Sequence, residues 1–325
     1  MKLLVTGGAG YIGSIVASQL ILAGHEVVVL DNLERGHREA VPEEARLIVA
    51  DLVDRSAVEQ AVSDGFDGVL HFAALALVSE SVSSPELYYR TNVGGTLNLL
   101  DGMRRAGVPR LVFSSTCAVY GQPDEVPISE LAPPRPANAY GASKLAVDGM
   151  IGDFCVAHGL GAVSLRYFNV AGSSGHLGED HEPETHLIPN VLRTALGIRE
   201  YVEIFGTDYP TPDGTAIRDY IHIEDLAAAH LLALDGARSG RHDVYNLGNG
   251  NGFSVREVIA AAERVTGLSI PTREAARRPG DPPMLVAASG KIREGLGWSA
   301  RKPDLEQMVA DAWAFAQARP RGYSG

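Results

Sequence analysis

A chain of 325 residues, 45% hydrophobic and 21% charged, has the length and composition of one large or two modest globular domains. Its formal net charge is −12 with no basic run, which argues against a nucleic-acid partner but leaves room for one small diphosphate held by local arginines. The longest apolar stretches, such as Leu3–Val5 and Val27–Leu30, are too short to span a bilayer, and Lys2 runs straight into a short apolar stretch and glycines, so neither a membrane segment nor a signal peptide is expected.

In chain order, the sequence predicts a strand at Leu3–Val5, a helix from Tyr11 to Ala23 stopped by Gly24, and strands at Glu26–Leu30, Arg46–Ala50 and Gly68–Phe72. A long helix from Glu86 to Arg105 follows, then a strand at Arg110–Ser114, a second long helix from Asn138 to His158 and a strand at Ala162–Tyr167. Strands alternating with helices at this spacing imply an α/β fold, a doubly wound parallel sheet of Rossmann type with helices on both faces. After Asn169 the rhythm changes: residues 171–186 are rich in Gly, Ser, Glu, Asp and His, residues 206–215 are turn-rich, and helical patterns return near 224–235 and 254–266. The expected division is a dinucleotide-binding domain over 1–169 and a smaller α/β substrate lobe over 170–325, laid over the C-terminal edge of the sheet, with some segments returning to the first domain. Cys117 and Cys155 lie in no metal-ligand spacing and make no disulfide framework, so no metal centre is expected and a reducing, cytoplasmic setting is the simplest reading.

Gly7, Gly10 and Gly13 form a G-x-x-G-x-x-G run directly after a strand and opening a helix. Glycine lets the backbone turn tightly and approach a pyrophosphate, and the helix N-terminus supplies free N–H groups and a positive dipole end. A structural turn alone would also use such glycines, but Asp31 closes the next strand about twenty residues later, where an acid meets the ribose 2′-hydroxyl. A carboxylate there repels a 2′-phosphate, which favours NAD over NADP, although Arg35 and Arg38 lie just beyond. Asp51, after the third strand, is placed to meet the adenine or, equally, to cap a helix.

Tyr140-Gly-Ala-Ser-Lys144 sets a tyrosine and a lysine on one helix face. A free tyrosine, with a pKa near 10, is a poor base at neutral pH. An ammonium about 4 Å away contributes roughly 4 kcal/mol at an effective dielectric of 20, about three pKa units before desolvation is subtracted. Such a pair suits general-base work. The stretch from Phe113 to Gly121 leaves the fifth strand at the sheet edge where α/β proteins bind ligands, and Thr116 there is expected either to hydrogen-bond the oxygen whose proton Tyr140 removes or merely to cap the strand.

These motifs resemble the extended short-chain dehydrogenase/reductase superfamily and, within it, the UDP-glucose 4-epimerase family. The likeness runs nearly end to end, through residues 3–14, His71-Phe-Ala-Ala, Tyr89-Arg-Thr-Asn-Val, Tyr245-Asn-Leu-Gly, Arg277-Arg-Pro-Gly-Asp281 and Pro320-Arg-Gly-Tyr; the most specific segment is Phe205 to His222. The resemblance implies an NAD site lined by Tyr11, Ile12, Asp31, Asn32, Asp51, Leu52, Phe72, Ala73, Ala74, Asn92, Lys144 and Phe168. It puts Thr116 and Tyr140 at the sugar O4. It surrounds a UDP group with Asn169, His186, Leu187, Ile204, Phe205, Arg218, Arg278 and Asp281. Two arginines can fork onto a diphosphate, and an aromatic such as Phe205 can lie against uracil; a surface salt bridge is the plain alternative for Arg218 and Arg278.

The implied reaction interconverts UDP-glucose and UDP-galactose by transient oxidation at sugar C4, rotation of the 4-keto sugar and re-reduction. A homodimer through the helices at 86–105 and 139–158 is also implied, and Leu87, Leu97, Leu100, Leu145, Val147 and Met150 offer more apolar surface than one sheet face needs. Three positions depart from some members: Thr116 replaces serine, His186 replaces asparagine, and Leu285 replaces a bulkier tyrosine at a pocket wall. The last leaves UDP-N-acetylglucosamine open as a substrate, and UDP-glucuronate 4-epimerisation is a further alternative. A 4,6-dehydratase needs an acid pair after the site hydroxyl, where this chain has Cys117 and Ala118. A non-catalytic dinucleotide sensor would not need both Tyr140 and Lys144.

Overall fold

The computed structural model describes residues 1–278 and 280–324; Pro279, within the Arg277–Asp281 segment quoted above, lies outside them. The short apolar runs of the first half form strands β1 (Lys2–Thr6), β2 (Glu26–Asp31), β3 (Arg46–Val49), β4 (Gly68–His71), β5 (Arg110–Thr116) and β6 (Gly161–Tyr167). They join one parallel seven-stranded sheet, whose remaining edge strand, His242–Leu247, returns from the second half of the chain to pair with β6. Its order is His242–Leu247, β6, β5, β4, β1, β2, β3. Helices cover both faces, which is why these strands are continuously apolar and not alternating. Leu3, Val5 and Leu70 pack with Ile15, Leu20, Leu226 and Ala233 on one face. On the other, Leu4, Val28 and Phe113 pack with Val58, Leu99 and Val147.

The single helix expected from Glu86 to Arg105 is interrupted. A turn at Pro85–Tyr88 passes into a π-helical stretch, Tyr89–Gly94, before α-helix resumes at Gly95–Ala106. Asn92 explains where the extra residue is accommodated: its buried amide accepts from the Leu75 N–H at 2.8 Å and donates to the Leu75 carbonyl and the Ser143 hydroxyl, both at 3.0 Å. Such bulges mark functional sites. The proposed surplus of apolar surface is smaller than expected. Leu100 and Val147 are buried on the sheet and Met150 packs against the same core, whereas Leu87 and Leu97 remain exposed.

The second half builds its own core from Ile188, Val191, Leu192, Val258, Ile259, Met308 and Val309. These belong to helices Leu187–Ala195, Val255–Thr266 and Leu305–Ala318. Two small sheets complete it. In one, Ile217–His222 pairs with Asn169–Ala171, Gly252–Ser254 and Met284–Leu285; in the other, Val202–Phe205 pairs with Thr272–Ala275.

Candidate active site

Gly7 holds φ at +72°, and a Cβ there would sit 2.5 Å from the Ala73 nitrogen. A Cβ on Gly13 would fall on the Gly7 carbonyl, so the first helical turn packs directly on the glycine loop. Gly10 precedes helix Tyr11–Leu22 with no side-chain cap, which leaves the N–H groups of the first turn free for an anion. Asp31, at the end of β2, accepts from the Ala9 and Leu33 N–H groups at 3.0 and 2.9 Å. Burial raises its pKa, and those two bonds oppose the rise.

Asn32 donates to the Asp51 carboxylate at 3.0 Å. Asp51 also accepts from the Val53 N–H, but the cap of helix Arg55–Val62 is Asp54, so the capping alternative for Asp51 does not hold. Arg35 turns away to Glu80 and the Glu182 carbonyl. Leu52 is buried, and Phe72 and Ala73 direct their N–H groups onto the Thr6 carbonyl at 2.9 and 3.1 Å, with Ala74 partly buried just beyond. Tyr11 donates to the Gly172 carbonyl at 2.6 Å, joining the loop after Ala171 to this cradle. The uncapped helix, the close-packed glycines and the acid closing β2 fit a dinucleotide, with Tyr11 and Ile12 at the helix start.

Asn138 accepts from the Gly141 N–H at 2.9 Å and starts helix Ala139–His158, which fixes Tyr140 in its first turn. β5 runs two residues further than expected, carrying Ser114, Ser115 and Thr116 within the strand. The Thr116 hydroxyl accepts from the Ala118 N–H at 3.1 Å, so it does cap the following turn, and it lies near enough to the Tyr140 hydroxyl to oppose the rise in that group's pKa. Burial pushes the Tyr140 hydroxyl up to about 12, with Thr116 opposing and Cys117 adding to the rise.

Lys144 sits one helical turn beyond Tyr140, and one of its N–H bonds is already engaged below the site. Its Nζ donates to the Ser114 carbonyl at 2.8 Å and lies 4.8 Å from the Phe113 ring centroid. Burial lowers it to about 7 while Asp148, one turn further along the same helix, pulls the other way. Phe168 is buried with Val119, Tyr120, Ile128 and Ala287, and Leu285 packs against this group from the partner lobe.

The residues implied for a UDP group fall in several environments. Arg218 stands opposite Leu285 in the strand register and pairs with Asp281, so two expected ligand contacts meet each other. Arg278 stacks on Phe205 at 4.0 Å from the ring centroid, covering one face of the aromatic expected to meet uracil. Asn169 opens a strand paired to Tyr220. Ile204 is buried within the small lobe's core and Leu187 packs at its margin. The half-exposed His186 ring lies between Glu179 at 2.7 Å and Glu184 at 3.1 Å; burial opposes protonation, but Glu179 and then Glu184 outweigh it and hold the imidazole well above its ordinary range.

Sequence reasoning passed over several residues beneath this site. Asp148 forms a buried ion pair with Arg166 at 2.8 Å and accepts from Ser115, and the Ser114 hydroxyl meets the Tyr167 hydroxyl. The spacing of Tyr140, Lys144 and Asp148, four residues apart each, was the signal available for the first of these. Asp219, next to Arg218, accepts from the Asn249, Gly250 and Ala287 N–H groups and has its pKa raised by burial to about 6.

Residues 3–248 match the family model described as the NAD dependent epimerase/dehydratase family. A UDP-glucose 4-epimerase of Streptomyces lividans is 56% identical over 99% of this chain and 98% of its own length. One from Corynebacterium glutamicum is 55% identical over 98% and 96%. A crystal structure of UDP-glucose 4-epimerase from Brucella ovis in complex with NAD superposes with a TM-score of 0.93 at 44% identity, covering 97% of this chain and 98% of that one.

Proposed function

Because the chain belongs to the NAD dependent epimerase/dehydratase family, we propose that it interconverts UDP-glucose and UDP-galactose, as the printed names of its near full-length relatives indicate for them. The observation that carries this reading is the Tyr140–Thr116 pair beside the glycine cradle, followed by Cys117 and Ala118 and not by an acid pair. NAD, when bound, supplies the acceptor and donor of hydride for sugar C4. Tyr140 takes and returns the O4 proton, with the Thr116 hydroxyl orienting that oxygen. Lys144 reaches the floor of the site through Ser114 and holds the ribose side. Arg218 and Arg278 neutralise the diphosphate, Arg218 exchanging Asp281 for it in part, while Asp281 accepts from ribose hydroxyls. Residues 1–169 form the NAD-binding part and 170–325 mainly the UDP-sugar lobe, and the enzyme works in the cytoplasm.

A coupled assay on UDP-galactose, UDP-N-acetylgalactosamine and UDP-galacturonate tests the reading. Turnover of UDP-galactose above the other two is expected, and preference for the uronate would overturn it. Leu285 adds a finer prediction, since it packs beside Phe168 and opposite Arg218. Activity on UDP-N-acetylglucosamine is expected to be measurable but below that on UDP-glucose, and Leu285→Tyr is expected to suppress it while sparing the plain sugar, since one steric wall discriminates without altering the chemical step. An unchanged ratio of the two activities removes Leu285 as the gate.

The enzyme is further proposed to be a homodimer, joined across the exposed Leu87 and Leu97 on the Pro85–Ala106 run and the neighbouring helix Ala139–His158. Light scattering at micromolar concentration is expected to give twice the chain mass; a monomer throughout rejects the interface.

A further inference from the structure

The loop between Ala171 and Leu187 carries two carboxylates and two imidazoles turned toward one another. The donor atoms of Glu179, His181, Glu184 and His186 all lie within 4.8 Å of each other. Glu179 Oε1 is 2.7 Å from His186 Nδ1 and 3.2 Å from His181 Nδ1; Glu184 Oε1 is 3.1 Å from His186 Nδ1, and Glu184 Oε2 is 3.9 Å from His181 Nδ1. The last pair is too long for a hydrogen bond. Both of its atoms, His181 Nδ1 and Glu184 Oε2, are buried without a hydrogen-bond partner, and the Glu184 side chain is only 2% exposed. A buried polar atom left unpaired is costly, so a native loop that leaves two facing each other has a use for them.

We propose that Glu179, His181, Glu184 and His186 bind one divalent transition-metal ion, of which Zn²⁺ fits best. Four ligands at about 2.0–2.2 Å in a tetrahedron stand roughly 3.3 Å apart; Glu179 Oε1 meets the two imidazoles at 2.7 and 3.2 Å, Glu184 reaches both through its two oxygens, and one donor atom from each of the four residues falls within a 4.8 Å cluster. Two carboxylates balance the charge of a divalent ion, and the imidazoles select Zn²⁺ and its neighbours over Mg²⁺ or Ca²⁺, which take oxygen. Protonating both imidazoles instead would set two cations with rings 5.5 Å apart and still leave Glu184 Oε2 without a partner. The ion's role is to pin this loop. Tyr11 holds Gly172 at one end, Arg35 holds the Glu182 carbonyl, and His37 meets Asp180 at 3.4 Å, so the cluster joins the loop to the dinucleotide side where His186 starts helix Leu187–Ala195.

The test uses the full chain without a polyhistidine tag. After dialysis against a chelator, Zn²⁺ is titrated in competition with a chromophoric chelator, and Co²⁺ is bound in parallel for its absorption spectrum. One Zn²⁺ per chain at micromolar or lower free ion is expected, with a Co²⁺ spectrum of tetrahedral type lacking a thiolate charge-transfer band. Glu184→Gln and His181→Phe are each expected to weaken Zn²⁺ by more than about tenfold, the low end of what even an outer-shell contact is worth. Failure of the wild-type chain to bind Zn²⁺ stoichiometrically overturns the site, as does unchanged affinity in both variants. If the variants do not fold, the wild-type Co²⁺ spectrum decides alone, because a thiolate band assigns the ion to Cys117 or Cys155. None of these readouts depends on which sugar the enzyme turns over.

Discussion

Tyr140→Phe is expected to lower kcat by two to four orders of magnitude, the range of a lost general acid–base group, with KM for UDP-galactose little changed. The ring keeps its volume and its edge-on packing against Tyr88, at 6.5 Å between centroids, so the fold is expected to survive. What is lost is the hydroxyl that takes and returns the O4 proton. Burial holds that hydroxyl near 12, so a tyrosinate at neutral pH has to be favoured by positive charge beside it. A positive charge brought over the sugar acts in that direction, and so does the Lys144 ammonium one helical turn away, which gives only one of its three N–H bonds to the Ser114 carbonyl. Steady-state kinetics on the purified variant decide the matter, and near-native turnover would mean that another group carries the proton.

Gly13→Val is expected to strip the cofactor. The side chain would press on the Gly7 carbonyl and approach the Gly8 Cα at 2.9 Å, and both are backbone atoms that cannot swing aside. Overpacking of this kind costs about 1–3 kcal/mol, which corresponds to a loss of NAD affinity between about fivefold and about 150-fold if it falls on the bound state. Wild-type protein is expected to be purified with NAD in place, read from the nicotinamide content of a denatured supernatant, while the variant comes out depleted. Gly290→Ala, where nothing lies within 4 Å of the added methyl, serves as the control. Equal NAD content in all three proteins would show that the glycine loop is not the pyrophosphate cradle, and NADP alone in the extract would overturn the role given to Asp31.

The parallel sheet was legible because its strands are buried on both faces and read as unbroken apolar runs, Leu3–Val5 and Val27–Leu30 among them. The glycine loop and the tyrosine–lysine pair were legible because their chemistry is local in sequence. What escaped depends on distant partners. The π-helical turn at Tyr89–Gly94 keeps a helical pattern and is set by the bonds of Asn92 to Leu75 and Ser143. Arg218 and Asp281 meet across 63 positions, so each read singly as a ligand contact. Helix Leu187–Ala195 was hidden by Pro189, which its first turn tolerates. Of the four donors around Glu179, only His186 stood out in the sequence, as an expected UDP contact, and their convergence depends on how the loop folds.

The edge strand His242–Leu247 has a consequence for how the protein is made. β6 leaves the ribosome complete but with one side unpaired, and its partner is translated some 75 residues later. Throughout that interval the nascent sheet presents an open, fully buried-type edge, the kind of surface that recruits other chains. Synthesis therefore has a vulnerable window that closes only when Tyr245 and Leu247 dock. Truncations ending before residue 242 are expected to aggregate, however completely they contain the glycine loop and the tyrosine–lysine pair.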